Sequence, residues 1–335
     1  MKNERYLDMK SPITGGRVKL VEDLEEQIFR KEKYQVHVRY CVCEDTGEQF
    51  TIEGQDDLAL QQIYCQYRIK HGIPFEDEIK AIRENYGLNF TQINKILGFG
   101  SNQWKHYEQG MVPSESNGKI IVAIKKKECM LSLLEASRND FQTAEYEKIK
   151  ANIANAIELE NQSDEIRLFY GKTKRSLFNG FAEMNVDKLQ QMIRFLITKE
   201  GGRICPTKLN KEMFYADFLH FRKHGHGISG LQYRAIKYGP VPEHYDTIYD
   251  NVKNVVKESV VHVDCENVYL FCYSAIETSA LTQDEIDTLT YVSEILAPMK
   301  TAKVVKLSHD ETAWKNYVSQ HAIIPYSEAY DLNLF

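Results

Sequence analysis

The stretch from Leu88 to Pro113 constrains this chain more than any other, because it sets two short apolar periodicities on either side of a pair of glycines. Ile93, Ile96 and Leu97 fall three and four apart, the spacing of one helix face, and Thr91 offers a polar group to a first turn whose N–H groups need partners. Gly98 and Gly100 then interrupt the pattern. Ser101 is placed to cap a second helix carrying Trp104, Tyr107 and Glu108, and Gly110 ends it. Two short helices across a tight glycine-containing turn form a helix-turn-helix, in which the second helix is shaped to enter a DNA major groove. An ordinary helical hairpin accounts for the apolar positions equally well. It does not account for the polar cluster Ser101, Asn102, Gln103, Lys105 and His106, the amide, hydroxyl and basic groups that contact base edges and phosphates.

Taken with Ile82-Arg83-Glu84, Thr91-Gln92, Leu97-Gly98 and Tyr107-Glu108-Gln109-Gly110 before Pro113, the module resembles the phage-repressor-type helix-turn-helix in its MqsA-like antitoxin version. Ser101, Asn102, Gln103, Lys105 and His106 are the expected DNA contacts, with Thr91 and Gln92 positioning on phosphate.

With 335 residues, two or three domains are expected. The net charge of −6 argues against a chain that is basic throughout, so DNA binding requires a local patch. Between Asn94 and Lys127 there are six lysines against two glutamates, ending in Lys125-Lys126-Lys127; such a run is also what a solvated helix face looks like. Seven scattered cysteines, an odd number, do not make a disulfide framework. No apolar run approaches a membrane span and no apolar segment follows Met1-Lys2-Asn3-Glu4-Arg5, which leads to a cytoplasmic expectation.

Near the start, alternating Val18 and Leu20, then Tyr34, Val36, Val38 and Tyr40, predict a small antiparallel sheet with tight turns. MqsA-like antitoxins carry two Cys-x-x-Cys knuckles around a structural zinc here. This chain has Ser11 and Thr14 at the first pair and an out-of-pattern Cys41-x-Cys43 at the second, with Thr46 near the later position. Hydroxyls are poor zinc ligands, so the expectation is a zinc-ribbon-like module without metal. The sharp alternative is a site built from Cys41, Cys43 and Cys65 with His37 or His71.

From Asp56 to Tyr86, Leu58, Leu60, Ile63, Tyr64, Tyr67, Ile79 and Ile82 read as helices punctuated by Gly72 and Pro74. After Pro113 a helix through Ile120, Ile121 and Ile124 is expected to extend through Met130, Leu131, Leu133 and Leu134, offering apolar surface either for dimerisation on a two-fold operator or for packing on a neighbouring domain. Phe141 to Asn161 suits one long helix bridging the halves. Gly171-Lys172-Thr173 lacks the spacing of a phosphate-binding loop.

The second half carries motifs in series: Asp187-Lys188-Leu189, Leu209-Asn210-Lys211, Met213 to Phe218, His220, His224-Gly225, Ile228 to Tyr233, Tyr238-Gly239-Pro240-Val241-Pro242, and Leu307-Ser308-His309 to Trp314. Over about residues 180–320 this resembles the Panacea, or SocA-like antitoxin, domain, a mainly helical fold with a small β element. The alternation Val268, Leu270, Cys272 and the capping box Thr282-Gln283-Asp284-Glu285 fit such a fold. The resemblance implies a type II antitoxin that binds and blocks a toxin encoded by the adjacent gene. Lys211, Tyr215, His220, Lys223, Tyr238 and His309 are candidate toxin contacts, while core packing is the plainer reading of Phe214, Tyr215, Phe218 and Trp314.

An enzyme is the weaker reading. His220, His224 and His226 lie near Asp217, but no nucleophile elbow, His-Glu-x-x-His or dinucleotide fingerprint is present. The expected architecture is mainly α with small β elements: a metal-free zinc-ribbon-like module (1–55), a helix-turn-helix domain (56–135), a helical linker (136–179) and a Panacea domain (180–335). No metal or cofactor is expected. The expected partners are the toxin, operator DNA and a second copy of the chain. The alternative is a transcriptional regulator whose C-terminal domain senses a partner or ligand.

Overall fold

The computed structural model describes residues 3–52, 55–157, 174–262 and 265–335. The chain is mainly helical with small antiparallel sheets, β-rich at its N-terminal end and helical toward its C-terminal end, as expected. It divides into two compact units, one of residues 1–63 with 172–335 and the other of residues 64–171. Expectation cut the chain into four successive segments, whereas the first unit is discontinuous. Among the described residues no helix is long and apolar enough to cross a membrane.

In the first unit, β1 (Asn3–Lys10), β2 (Arg17–Phe29), β3 (Glu32–Cys43) and β4 (Gln49–Phe50) form a four-stranded meander in chain order. Alternation works as expected on one face, where Val18, Leu20 and Cys41 are buried with Leu7 and Phe50 against them. The β1–β2 and β3–β4 turns meet at Cys43. Its thiol lies 3.3 Å from the Thr14 hydroxyl, and hydrogen bonds from Ser11, Thr14 and Thr46 pull it down to about 6 against the opposing effect of burial. The second turn is thus built on Cys43-x-x-Thr46 rather than on Cys41-x-Cys43. Cys41 instead takes a hydrogen bond from Gln55 Nε2 at 3.4 Å. Among the described residues no group of three or more His, Cys, Asp and Glu is placed to hold a metal ion.

In the second unit, α1 (Gln55–His71) runs in from the first unit and is followed by α2 (Glu76–Asn85), α3 (Phe90–Leu97), α4 (Gln103–Glu108), α5 (Glu115–Ala123), α6 (Lys127–Ala136) and α7 (Thr143–Asn155). One apolar core joins Ile79, Ile93, Trp104, Ile121, Met130 and Ile153. Met130 and Leu134 are wholly buried in it, so the apolar run after Ile124 serves this unit's own core. That run is also a separate helix rather than an extension, because extended backbone at Lys126 stops one helix before the next begins. The expected bridging helix is seen as α7; its continuation to Asn161 and the Gly171-Lys172-Thr173 segment lie outside the described residues.

The rest of the first unit contains α8 (Val186–Lys199), β5 (Arg203–Ile204), α9 (Pro206–His224), β6 (Tyr233–Ile236), β7 (Gly239–Pro242), α10 (Tyr245–Asp250), β8 (Val255–His262) and β9 (Cys265–Cys272). These are followed by α11 (Gln283–Leu296), α12 (Thr301–Asp310), α13 (Thr312–Lys315) and β10 (Ile323–Ile324). The strands make two three-stranded sheets, β10-β6-β7 and β5-β9-β8. The expected capping box starts α11: Thr282 and Glu285 satisfy each other's backbone N–H. At the centre lies α9, begun by Pro206, ended by Gly225 in the left-handed region and buried from Lys208 to Arg222. A helix buried on every side is a core strut, so its polar side chains must find internal partners.

The N-terminal sheet is tied to α9 through ions. Glu22 on β2 accepts from Arg39 Nε at 2.6 Å and from Arg222 Nη2 at 2.6 Å. Arg222 also donates to the Phe335 carbonyl at 2.7 Å, and Arg39 to the Arg222 carbonyl at 2.5 Å.

Candidate functional site

The motif residues of the second half converge on the tip of the β6–β7 hairpin. Lys211, one turn into α9, is fully buried and donates its Nζ to the Pro240 carbonyl at 2.8 Å. Trp314 Nε1 on α13 donates to the Ile236 carbonyl at 2.8 Å. His309, at the end of α12, stacks on Trp314 with ring centroids 4.2 Å apart. Three helices, α9, α12 and α13, therefore converge on one short loop, two of them through bonds to its backbone carbonyls. Gly239 permits the grip. Its φ is +98°, and a Cβ there would lie 2.6 Å from Lys211 Cε and 2.8 Å from Ser308 Oγ.

The clamp presents Tyr238 outward at 65% exposure on a backbone that has little freedom. Preorganisation of this kind lowers the ordering cost of binding, and a rigid exposed tyrosine suits a contact surface. Electrostatics behind the hairpin favour neutral groups. Burial drives the Lys211 amine down to about 7, and burial, followed by the nearby Lys211, drives His309 down. Tyr215 donates to Glu311 Oε1 at 3.1 Å, and Glu311 also accepts from the Asn333 and Leu334 backbones. Burial nevertheless raises the Glu311 carboxyl above its ordinary value.

The six candidate toxin contacts do not share one surface. Tyr238 is exposed and His309 half-buried at the hairpin, with Lys211 and Tyr215 enclosed beneath them. His220 lies elsewhere on α9 and is also enclosed, while Lys223 is exposed near its end. Lys211, Tyr215 and His220 are thus not surface groups, because α9 is buried on all sides there. Sequence spacing did not separate these roles, since a helix face cannot be told from a central strut by periodicity once every side is apolar or internally paired. Trp314 and the Pro240 carbonyl, absent from the candidate contacts, complete the grip.

The histidine cluster has no catalytic arrangement around Asp217. Both carboxylate oxygens of that residue are taken up by the Ile228 and Ser229 N–H groups and the Ser229 and Tyr233 hydroxyls. The Thr288 hydroxyl donates to the Asp284 carbonyl at 2.9 Å, so at its 3.1 Å contact with His220 Nδ1 it accepts. Proton bookkeeping therefore puts the His220 hydrogen on Nδ1 and leaves Nε2 without a partner beside His224 and His226.

In the other unit, α3 and α4 meet across Gly98 in the left-handed region. Asn89, rather than Thr91, caps α3, with Gln92 completing a capping box. Nor does Ser101 cap α4. Buried Asn94 accepts from Trp104 N at 3.0 Å and donates to the Ser101 carbonyl at 2.9 Å, so a side chain of the first helix caps the second. Arg83 grips Glu108 through Nε at 2.6 Å, and Trp104 Nε1 donates to the same carboxylate at 2.7 Å. With these internal groups satisfied, Ser101, Asn102, Lys105, His106 and Thr91 are exposed. Gln103 is half-buried against Met111, and Gln92 is half-buried and hydrogen-bonded to Glu145.

Residues 209–315 match the family model described as Antitoxin SocA-like, Panacea domain, and that span contains the whole hairpin clamp. A Panacea domain is therefore found at residues 209–315; it supports a general antitoxin role, which in general implies a toxin partner. No curated protein matches the chain, and no solved structure does.

Proposed function

We propose that this chain is a type II antitoxin that neutralises the toxin encoded beside it through the Panacea half, docking on the clamped β6–β7 hairpin, and represses its own operon through residues 88–113 as a helix-turn-helix. The observation that carries the reading is the Panacea match over residues 209–315, whose Lys211, Gly239-Pro240, His309 and Trp314 all act on one hairpin tip. Tyr238 is the leading contact at that site, with His309 beside it and Lys223 as a second exposed contact; Lys211 and Tyr215 support from beneath. The polar row Ser101, Asn102, Lys105 and His106 supports DNA binding, with Gln103, Thr91 and Gln92 at its edge.

Growth of a host expressing the neighbouring open reading frame, with and without this chain, tests the reading. Rescue by the wild type, loss of rescue with Tyr238→Ala, and retained rescue with Gln103→Ala plus Lys105→Ala are expected. The last variant is expected to lose operator binding in a mobility-shift assay. A harmless neighbour together with intact operator binding would favour a transcriptional regulator with a sensing C-terminal domain.

A further inference from the structure

Where the N-terminal sheet meets α9, positive charge outnumbers its partners. Strand register puts Arg5 opposite Leu20, and Glu22 opposite Arg39 two residues further along β2, so Arg5, Glu22 and Arg39 share one face of the sheet. That face is fastened to α9 by the Glu22 to Arg222 and Arg39 to Arg222 carbonyl bonds, which set Arg39 one residue from Lys223. Among the described residues Glu22 is the one side-chain carboxylate bonded to these cations; both its oxygens are committed to Arg39 and Arg222, and Arg222 also donates to the Phe335 main-chain oxygen.

Arg5 and Lys223 form no ion pair among the described residues. Lys223 Nζ instead lies over the Tyr291 ring of α11, 4.8 Å from its centroid. Arg222, with its side chain 6% exposed, has an Nε that finds no partner. His224 follows Lys223 on α9 and stacks on His220; burial lowers its imidazole against the opposing pull of Asp284, and His226, Lys223 and Arg39 lower it further. On α11 the carboxylates Asp284 and Asp287 are exposed and form no ion pair with the cluster; Asp287 bonds Gln283. On α8, Lys188 is bound to Glu285.

We propose that Arg5, Lys223 and His224, backed by Arg39 and Arg222, form a binding site for a tetrahedral oxyanion, either inorganic phosphate or the phosphoryl group of an organic phosphate. Unpaired cations held together at a half-buried junction are stabilised by an anion that brings several acceptors at once. Burial and the mutual proximity of Arg39, Arg5 and Lys223 lower the Lys223 ammonium from its usual range, as expected of a cation short of counter-charge. The site joins β1, β3 and α9 and uses no residue of the hairpin, but it shares Lys223 with the proposed toxin contacts.

Calorimetric titration of the full-length chain with potassium phosphate, against potassium chloride at equal ionic strength, tests the proposal. Saturable binding of phosphate alone is expected. It should weaken at least tenfold in both Arg5→Gln and Lys223→Gln, with circular dichroism checking that each variant is folded. Phosphoserine as a second titrant separates the sources: tighter binding than phosphate assigns an organic phosphoryl group, and weaker binding assigns the free ion. A wild-type response equal in phosphate and chloride, or undiminished affinity in both variants, overturns the proposal.

Discussion

Glu22→Gln isolates the contact on which the discontinuous unit depends. Glu22 has 4% of its side chain exposed, and its two bonds at 2.6 Å reach an Arg39 that is 13% exposed and an Arg222 that is 6% exposed. Glutamine keeps the volume but removes the charge, and it turns an amide N–H₂ toward one of the two guanidinium groups. Two buried cations then share no anion. Removing one member of a buried ion pair typically costs about 3–5 kcal/mol, because the remaining charge stays desolvated, so a loss of that order is expected at pH 7.

Urea unfolding can assign the loss to a unit, since the chain has two tryptophans, Trp104 in one unit and Trp314 in the other. The transition read by Trp314 should move, and the one read by Trp104 should not. Burial pushes the Glu22 carboxyl up, but the hydrogen bond from Arg222 and the charge of Arg39 win and hold it below its ordinary 4.5. A depressed carboxylate contributes stability that is complete above the unfolded value and disappears as pH falls through the folded one. The gap between wild type and variant should therefore be full at pH 7 and close below 4.5. A loss under about 1 kcal/mol at pH 7, the range of exposed pairs, would refute the argument.

Three further outcomes are expected. Because burial holds Lys211 at about 7 against an ordinary 10.5, the unfolded chain binds a proton between those values that the folded chain does not, and stability rises with pH there; wild type should gain on Lys211→Met between pH 7 and 10 in paired urea titrations, and a constant difference would contradict this. Ser11→Cys, Thr14→Cys and Thr46→Cys combined should place four thiols around the Cys43 position and bind one zinc by elemental analysis, with a zinc-free triple variant counting against tetrahedral geometry at the two turns. Asn94→Ala should lose the cap of α4 and destabilise residues 64–171 by about 1–2 kcal/mol in the Trp104 transition, and an unchanged midpoint would mean that Asn94 does not hold the two helices.

The elements legible in the sequence were those with local signals. Two-residue alternation gave the N-terminal sheet, and the Thr282 to Glu285 capping box gave the start of α11. Caps supplied from a distance were not legible. Asn94 looks like a polar residue on a helix face until folding brings it beside Trp104 N, so Ser101 reads from the sequence as a cap that it does not make. The hairpin site was half legible: its motifs are visible in order, but a buried lysine bound to a carbonyl 29 residues away reads from sequence as a surface contact. The junction of the sheet with α9 left no local trace, since Glu22 and Arg222 are separated by 200 positions.

That separation also sets an order of events during synthesis. Residues 64–171 can fold as soon as they leave the ribosome, whereas Glu22 waits for Arg222. At 5–20 residues per second the wait is about 10–40 s. Throughout it the β1–β4 sheet carries a carboxylate without its second cation, and the Panacea half does not yet exist. A hairpin clamp assembled in this order is finished only after Trp314 has been made, so during synthesis the second unit is presented well before the clamp.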